Sequence, residues 1–129
     1  MNYKSVLLMF QSIIGEVKYP LNTDLMYQWF LNALLDFEIN IGKPLDYDFN
    51  TKEFKDSVPK DVALILAKIM KVGYLEQQVS YKNKINNIIT PDLTLNSTDS
   101  SKLHMSNELE RTKADVEAYF HKKKRHSYS

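Results

Sequence analysis

The residue types that usually bind metals or carry out covalent chemistry are few in this sequence. It has no cysteine, which excludes disulfides, thiolate zinc sites, iron–sulfur clusters and a thiol nucleophile. The histidines are His104, His121 and His126, and the last two lie in a charged tail. They do not form a recognised zinc-binding motif, and we interpret them as solvated surface residues. We therefore expect no metal and no cofactor.

Paired carboxylates and nucleophile motifs do not indicate an enzyme either. Asp46 with Asp48 and Glu108 with Glu110 are close in sequence, but general acid–base catalysis needs carboxylates held in unlike environments of one pocket. The first pair lies in an expected loop and the second near a helix start, where capping or surface charge explains them. With only three glycines, the chain has no phosphate-binding loop, and no Gly-x-Ser-x-Gly turn occurs. We predict that the protein is not an enzyme.

The hydrophobic spacing predicts a mainly α fold, a compact bundle of about four helices. Apolar residues at steps of three and four predict a helix over residues 4–18, and a second helix is expected over 22–41. Gly42 and Pro44 give that second helix a strong stop. Residues 45–57 are expected to form a connecting loop, with at most one short extended piece. Trp29 and Phe37 on the second helix fit a core better than a platform for stacking nucleic-acid bases.

A third helix, over residues 59–79, is apolar around more than half of its circumference. Such a helix needs cover on two sides, which one small domain does not easily supply. We expect a second polypeptide to cover part of it. The residues predicted to form this subunit interface are Leu64, Lys68, Lys71, Tyr74 and Leu75.

The segment between the third helix and the C-terminal helix changes in character. Residues 80–101 are rich in Asn, Ser and Thr around Pro91, a pattern that fits either two short strands or an extended arm ordered by a partner. We favour the arm, and expect the last helix to begin at Ser106 or Asn107. The chain then divides into a helical body over 1–82 and an arm, helix and basic tail over 83–129.

Charge is distributed unevenly along the chain. Residues 1–121 carry 13 basic and 16 acidic side chains, whereas the tail holds four consecutive cations, Lys122, Lys123, Lys124 and Arg125. Such a cluster suits non-specific contact with phosphates, although two arginines in the whole chain are few for reading bases. A small helical nucleic-acid-binding protein is therefore the alternative function. The apolar run at residues 6–10 is too short to cross a membrane, and we expect no membrane partner.

The order of helices, stops and loops predicted over residues 21–80 resembles that of a known protein family. A helix carrying Ala33 to Ile41 ends at Gly42-Lys43-Pro44, a short loop follows, and Val58-Pro59 opens an apolar helix that contains Tyr74. This pattern is similar to the head-to-tail connector (adaptor, or head-completion) proteins of tailed bacteriophages. The resemblance covers about half of the chain, and the long extension from Asn83 departs from the family pattern.

The resemblance implies a structural subunit and a set of partners. About twelve copies would form a ring under the portal, joining it to the tail and surrounding the channel through which DNA leaves. The partners would be further copies of the chain, the portal protein and tail or other connector proteins. It would lie in the virion at the head-to-tail interface and in the host cytoplasm during assembly. The predicted portal or tail contacts are Ile88, Leu93, Leu95, Leu109, Val116 and Phe120.

Overall fold

A computed structural model describes residues 1–15, 17, 20–88 and 95–127, with side chains described for 1–15, 17, 20–80 and 103–123. In this part of the chain there are four helices and one two-stranded antiparallel sheet. The helices are α1 (Tyr3–Ile14), α2 (Thr23–Ile41), α3 (Lys60–Ile88) and α4 (Leu95–Ser127). The predicted mainly α bundle of about four helices is confirmed.

Asparagine side chains cap the first two helices. The side-chain oxygen of Asn2 accepts a hydrogen bond from the Ser5 amide, and that of Asn22 accepts one from Leu25, each at 3.0 Å. These bonds satisfy amide groups that have no partner inside the helix. At the other end of α2, Gly42 adopts a left-handed conformation, with φ of 81°, and its amide donates to the Glu38 carbonyl. The predicted stop at Gly42 is therefore confirmed.

The expected loop before α3 contains a small hairpin, formed by β1 (Tyr47–Asp48) and β2 (Glu53–Phe54). Asp48 organises its turn, since its carboxylate accepts hydrogen bonds from the backbone of Asn50 and Thr51, which lower its pKa. The hairpin also holds the N-terminus, because Phe54 donates to the Met1 carbonyl at 3.1 Å. Tyr47 and Phe54 are buried, and both rings pack edge-on against Phe30 of α2, so the hairpin contributes to the core.

Helix α3 lies at the centre of the bundle, in contact with α1, α2 and α4. Leu66, Ala67 and Met70 on it are completely buried. The sequence-based expectation that another polypeptide must cover this helix is wrong for most of its circumference. The cover comes from α4 of the same chain, whose charged partners show that it runs antiparallel to α3.

The boundaries of α3 and α4 also correct the predicted arm. Helix α3 continues to Ile88 rather than ending near Val79, and α4 begins at Leu95 rather than at Ser106. No glycine or proline lies between Gly73 and Pro91, so nothing in the backbone interrupts the helix before that proline. The helix propensities of Asn, Ser and Thr are only modestly unfavourable, so a segment rich in these residues can still be helical. Residues 89–94 lie outside the described residues.

The two regions expected as separate units share one core. Phe120 of α4 is 7% exposed and packs against Phe37 of α2, with ring centroids 6.3 Å apart. Leu109 and Thr112 of α4 are also buried. The C-terminal helix is therefore an integral part of the bundle and not an appendage to residues 1–82.

Close packing between α2 and α3 depends on a glycine. A Cβ atom added to Gly73 would lie 2.7 Å from Cδ1 of Trp29, well inside normal contact. The indole cannot easily move away, because Phe10 and Tyr74 contact it edge-on at centroid distances of 5.9 and 6.1 Å. Gly73 therefore sets how closely the two helices approach.

We expect Gly73→Ala to lower the free energy of unfolding by about 1–3 kcal/mol through overpacking, despite a gain of about 1 kcal/mol in helix propensity. The measurement is urea unfolding followed by far-ultraviolet circular dichroism. Ser80→Ala, at an exposed position of α3, is the control. Adding Trp29→Phe should reduce the penalty of Gly73→Ala, and a stabilised single variant would contradict the proposed packing.

Candidate functional site

Four ion pairs join α3 to α4 in the described part of the chain, and we call this contact the α3–α4 seam. The shortest joins Lys71 Nζ to Glu108 Oε1 at 2.7 Å, and both side chains are mostly buried. The other three are longer and more exposed, and they pair Lys68 with Asp115, Glu76 with Lys113, and Asp61 with Lys123. Because exposed pairs contribute little to stability, Lys71–Glu108 is the pair that matters most.

Glu108 is held as a carboxylate by its neighbours. The hydrogen bond from Lys71 and the positive charges of Lys71 and Arg111 lower its pKa, against the opposing effect of partial burial. On the same turn, the Thr112 hydroxyl donates to the Glu108 carbonyl at 2.8 Å, which satisfies a buried polar group. This arrangement fixes the position of α4 along α3.

A second polar cluster anchors the far end of α4 at the first turn of α3. The Tyr119 hydroxyl donates to Asp61 Oδ2 at 3.2 Å, and Lys123 Nζ lies 3.4 Å from the same oxygen. Partial burial alone would raise the pKa of Asp61, but the hydrogen bonds and the charge of Lys123 outweigh it, so the pKa is lowered. Burial and the neighbouring carboxylate raise the pKa of Tyr119 to about 12.

The residues predicted as a subunit interface on α3 are mostly engaged within the chain. Leu75 is 5% exposed, and Tyr74 packs against Phe10 and Trp29. Lys68 and Lys71 are the α3 cations of the seam. Leu64 is exposed, at 38%. The structure thus places Lys68 and Lys71 at the seam and Tyr74 against α1 and α2, buries Leu75, and leaves Leu64 on the surface.

Some of the predicted portal or tail contacts are buried or half-buried within the chain, and the side chains of the others are not described. Leu109 and Phe120 are 8% and 7% exposed and face the core, and Val116 is half-buried beside it. Ile88 and Leu95 are the last residue of α3 and the first of α4, and their side chains are not among those described. Leu93 lies outside the described residues.

The basic tail continues helix α4 to Ser127. Lys122 is exposed, while Lys123 pairs with Asp61 and lies 5.6 Å from the centre of the Tyr119 ring. The side chains of Lys124 and Arg125 lie outside the described residues. At least one of the four cations is thus used to fasten the end of α4 to the bundle.

Exposed apolar side chains are found on α2, where the predicted interface did not place them. Leu35 and Ile39 are 56% and 68% exposed and lie one turn apart. We call this pair the α2 outer face. Leu8 on α1, Phe49 in the hairpin and Leu103 on α4 are also exposed, each on a different element.

A groove runs beside the α2 outer face, between α2 and α4, with α3 as its floor. It consists of two adjoining cavities, of about 320 and 400 Å³, that share Asp36, Ile69 and Val72. The first is completed by Trp29, Asn32, Leu35, Gly73 and Glu76, and the second by Asn40, Lys113, Val116, Glu117 and Phe120. We call the whole depression the α2–α4 groove.

The α2–α4 groove combines an apolar floor with acidic walls. Glu76 is paired with Lys113 at 3.8 Å, which leaves Asp36 on the α2 wall and Glu117 on the α4 wall. Neither of these two carboxylates has an ion-pair partner among the residues that the structure describes. Such a surface suits a ligand with aliphatic and cationic parts, as in Lys and Arg side chains.

Comparisons with known proteins returned no family model, no curated protein and no solved structure that matches this chain. Among the described residues there is no group of three or more His, Cys, Asp or Glu arranged to hold a metal ion. Within the same residues, no helix is long and apolar enough to cross a membrane.

The groove was not predicted from the sequence, although the sequence contains a pattern that marks one of its two walls. Asn32, Asp36 and Asn40 recur every four residues and form a polar line beside the apolar stripe of α2. The opposite wall could not be found in this way, because it belongs to α4, whose position depends on the α3–α4 seam.

The seam predicts acid sensitivity with a defined sign. Because the pKa of Glu108 is lower in the folded protein, its stabilisation is complete above the ordinary value of 4.5 and is lost as pH falls through the lowered value. We expect Glu108→Gln to cost about 1–3 kcal/mol at neutral pH, since Lys71 loses a charged hydrogen bond, and to cost progressively less in acid. Urea unfolding at several pH values measures this difference.

The matched control is Glu110→Gln, which removes an exposed carboxylate from the same helix. It should change the free energy of unfolding by less than about 0.5 kcal/mol at any of these pH values. A cost for Glu108→Gln that stays constant from neutral to acidic pH would show that the ion pair is not its cause.

Proposed function

We propose that this chain is a non-enzymatic structural subunit of a phage head-to-tail connector ring, in contact with the portal and with tail or further connector proteins. One observation carries the proposal. The α2 outer face lies within residues 33–45, the same segment whose pattern resembles the connector family.

The α2 outer face has the properties of a protein-binding surface. Leu35 borders the α2–α4 groove, so that its exposed side chain is continuous with the apolar groove lining at Trp29 and Val72. Single exposed apolar residues are common, but a contiguous apolar surface beside a groove is typical of an interaction site. Burying a leucine or isoleucine side chain contributes about 1.5–3 kcal/mol, enough for two such residues to anchor an interface.

This proposal moves the main subunit contact from α3 to α2. Lys71 is already used in the seam with α4 and Leu75 is buried, whereas Leu64 remains exposed on α3. A contact in which α2 of one copy meets a different surface of the next is heterologous, and such contacts form closed rings when the rotation between copies closes. The buried α3 then acts as the rigid support of the α2 surface.

We expect the double variant Leu35→Asp, Ile39→Asp to remain folded and to lose assembly on the portal of the same virus. Charged side chains at these positions would have to be buried without partners in the assembled ring. Negative-stain electron microscopy of portal mixed with each variant measures decoration, and circular dichroism measures folding.

Leu8→Asp is the control, because Leu8 is exposed to the same extent on a different helix. It should decorate the portal as the unmodified chain does. Loss of decoration by Leu8→Asp alone, or normal decoration by the double variant, would argue against the α2 outer face. Failure of the unmodified chain to bind the portal would argue against the connector function itself.

The alternative, a small nucleic-acid-binding protein, depends on the basic tail. If it holds, the intact chain binds any duplex at low salt, and deletion of residues 122–125 abolishes that binding. Lys122 is exposed and available for such a contact. Fluorescence anisotropy with a labelled duplex at several salt concentrations separates the two functions, since the connector proposal does not require this binding.

A further inference from the structure

We propose that the α2–α4 groove binds the basic C-terminal segment, residues 122–125, of a neighbouring copy of this chain. Lys122, Lys124 and Arg125 would supply the contacts, since Lys123 pairs with Asp61 of its own copy. The inference deepens the proposed function and rests on it for the ring, since it names the contact between adjacent subunits. The contact itself is a property of two copies and can be tested without the portal.

The chemistry of the groove favours a ligand that carries positive charge on an aliphatic stem. Asp36 and Glu117 lie on opposite walls without ion-pair partners among the described residues, and Ile69 and Val72 lie between them. A lysine or arginine entering the groove would cover the apolar floor with its aliphatic stem and bring its charged group to a carboxylate. A purely apolar ligand would leave both carboxylates desolvated and unpaired.

The chain itself carries a segment with that charge. Residues 1–121 have a net charge of −3, whereas residues 122–125 carry four positive charges, and no acidic residue follows Glu117. The same sequence therefore contains both an acidic groove and a compact basic segment. Complementary charges of this kind favour association between copies and set its orientation.

A chain cannot place this segment in its own groove. Lys123 is held at Asp61, in the first turn of α3, whereas the groove floor lies at Ile69 and Val72. At 1.5 Å per residue these floor positions are about 12–16 Å away along α3. Because α4 runs antiparallel to α3 and stays helical to Ser127, it moves away from the groove beyond that point. The occupant therefore comes from another copy.

The resulting contact joins two different surfaces, the groove of one copy and the C-terminal segment of the next. A contact of this type is heterologous and extends from copy to copy until it closes. Its strength depends on charge, so it weakens as ionic strength rises.

The test uses the full chain and a fluorescently labelled peptide of residues 118–129, with binding followed by anisotropy at low and moderate salt. Trp29, the only tryptophan, lines the groove and gives a second signal through its emission. We expect salt-sensitive binding that weakens at least about tenfold, or 1.4 kcal/mol, in the double variant Asp36→Lys, Glu117→Lys.

Two controls make the result specific. The double variant Glu38→Lys, Glu110→Lys makes the same change in net charge at exposed positions of the same two helices, outside the groove lining, and should bind the peptide within about twofold of the unmodified chain. A peptide carrying Lys122→Glu, Lys124→Glu and Arg125→Glu should fail to bind the unmodified chain and should bind the groove variant instead.

Absence of peptide binding, equal weakening by both pairs of charge reversals, or failure of the charge-reversed peptide to bind the groove variant would each overturn the inference. An unrelated basic amphipathic peptide that binds at least tenfold more tightly would overturn the choice of a second copy as occupant. If the groove variant decorates the portal normally, the groove contact is not needed in the ring, and the connector function still holds. If the unmodified chain binds the peptide but does not decorate the portal, the groove contact holds and the connector function is overturned.

Discussion

The fold depends on the burial of α3 from several sides at once. Its central part is so apolar that α1 and α2 cannot cover it alone, and α4 completes the cover by packing antiparallel along it. Leu66 and Met70 are completely enclosed, and truncating such residues typically costs about 2–5 kcal/mol. The ion pairs of the seam add less energy than this burial, but they fix the register in which α4 lies on α3.

This arrangement determines which surfaces remain for other molecules. With α3 largely covered by α4, two neighbouring exposed apolar residues remain on α2, beside the groove that α2 and α4 form over the α3 floor. The fixed register also places Glu117 opposite Asp36. A groove with a rigid apolar floor and two carboxylates on separate helices is therefore a consequence of how α3 is buried, and Gly73 keeps its α2 wall close to that floor.

Local signals in the sequence accounted for much of the fold but for little of the candidate site. The stop at Gly42 was predicted because only glycine readily adopts its left-handed conformation, and the core positions of Trp29 and Phe37 followed from their helical spacing. The interface on α3 was predicted from the apolar pattern of that helix alone. The sequence did not show that α4 packs against the same helix. Leu75, predicted to lie in a subunit interface, is buried within the chain.

The sequence by itself determined the helical class, the cap and stop of the second helix, and the apolar character of α3, whereas the first helix ends at Ile14 and not near residue 18 as predicted. These depend on near neighbours in the chain, through backbone conformation and a repeat of 3.6 residues. Only the tertiary structure decided what covers α3, how far α3 and α4 extend, and which carboxylates face one another across the groove. Those features depend on contacts between residues far apart in sequence, such as Lys71 with Glu108, which no local pattern specifies.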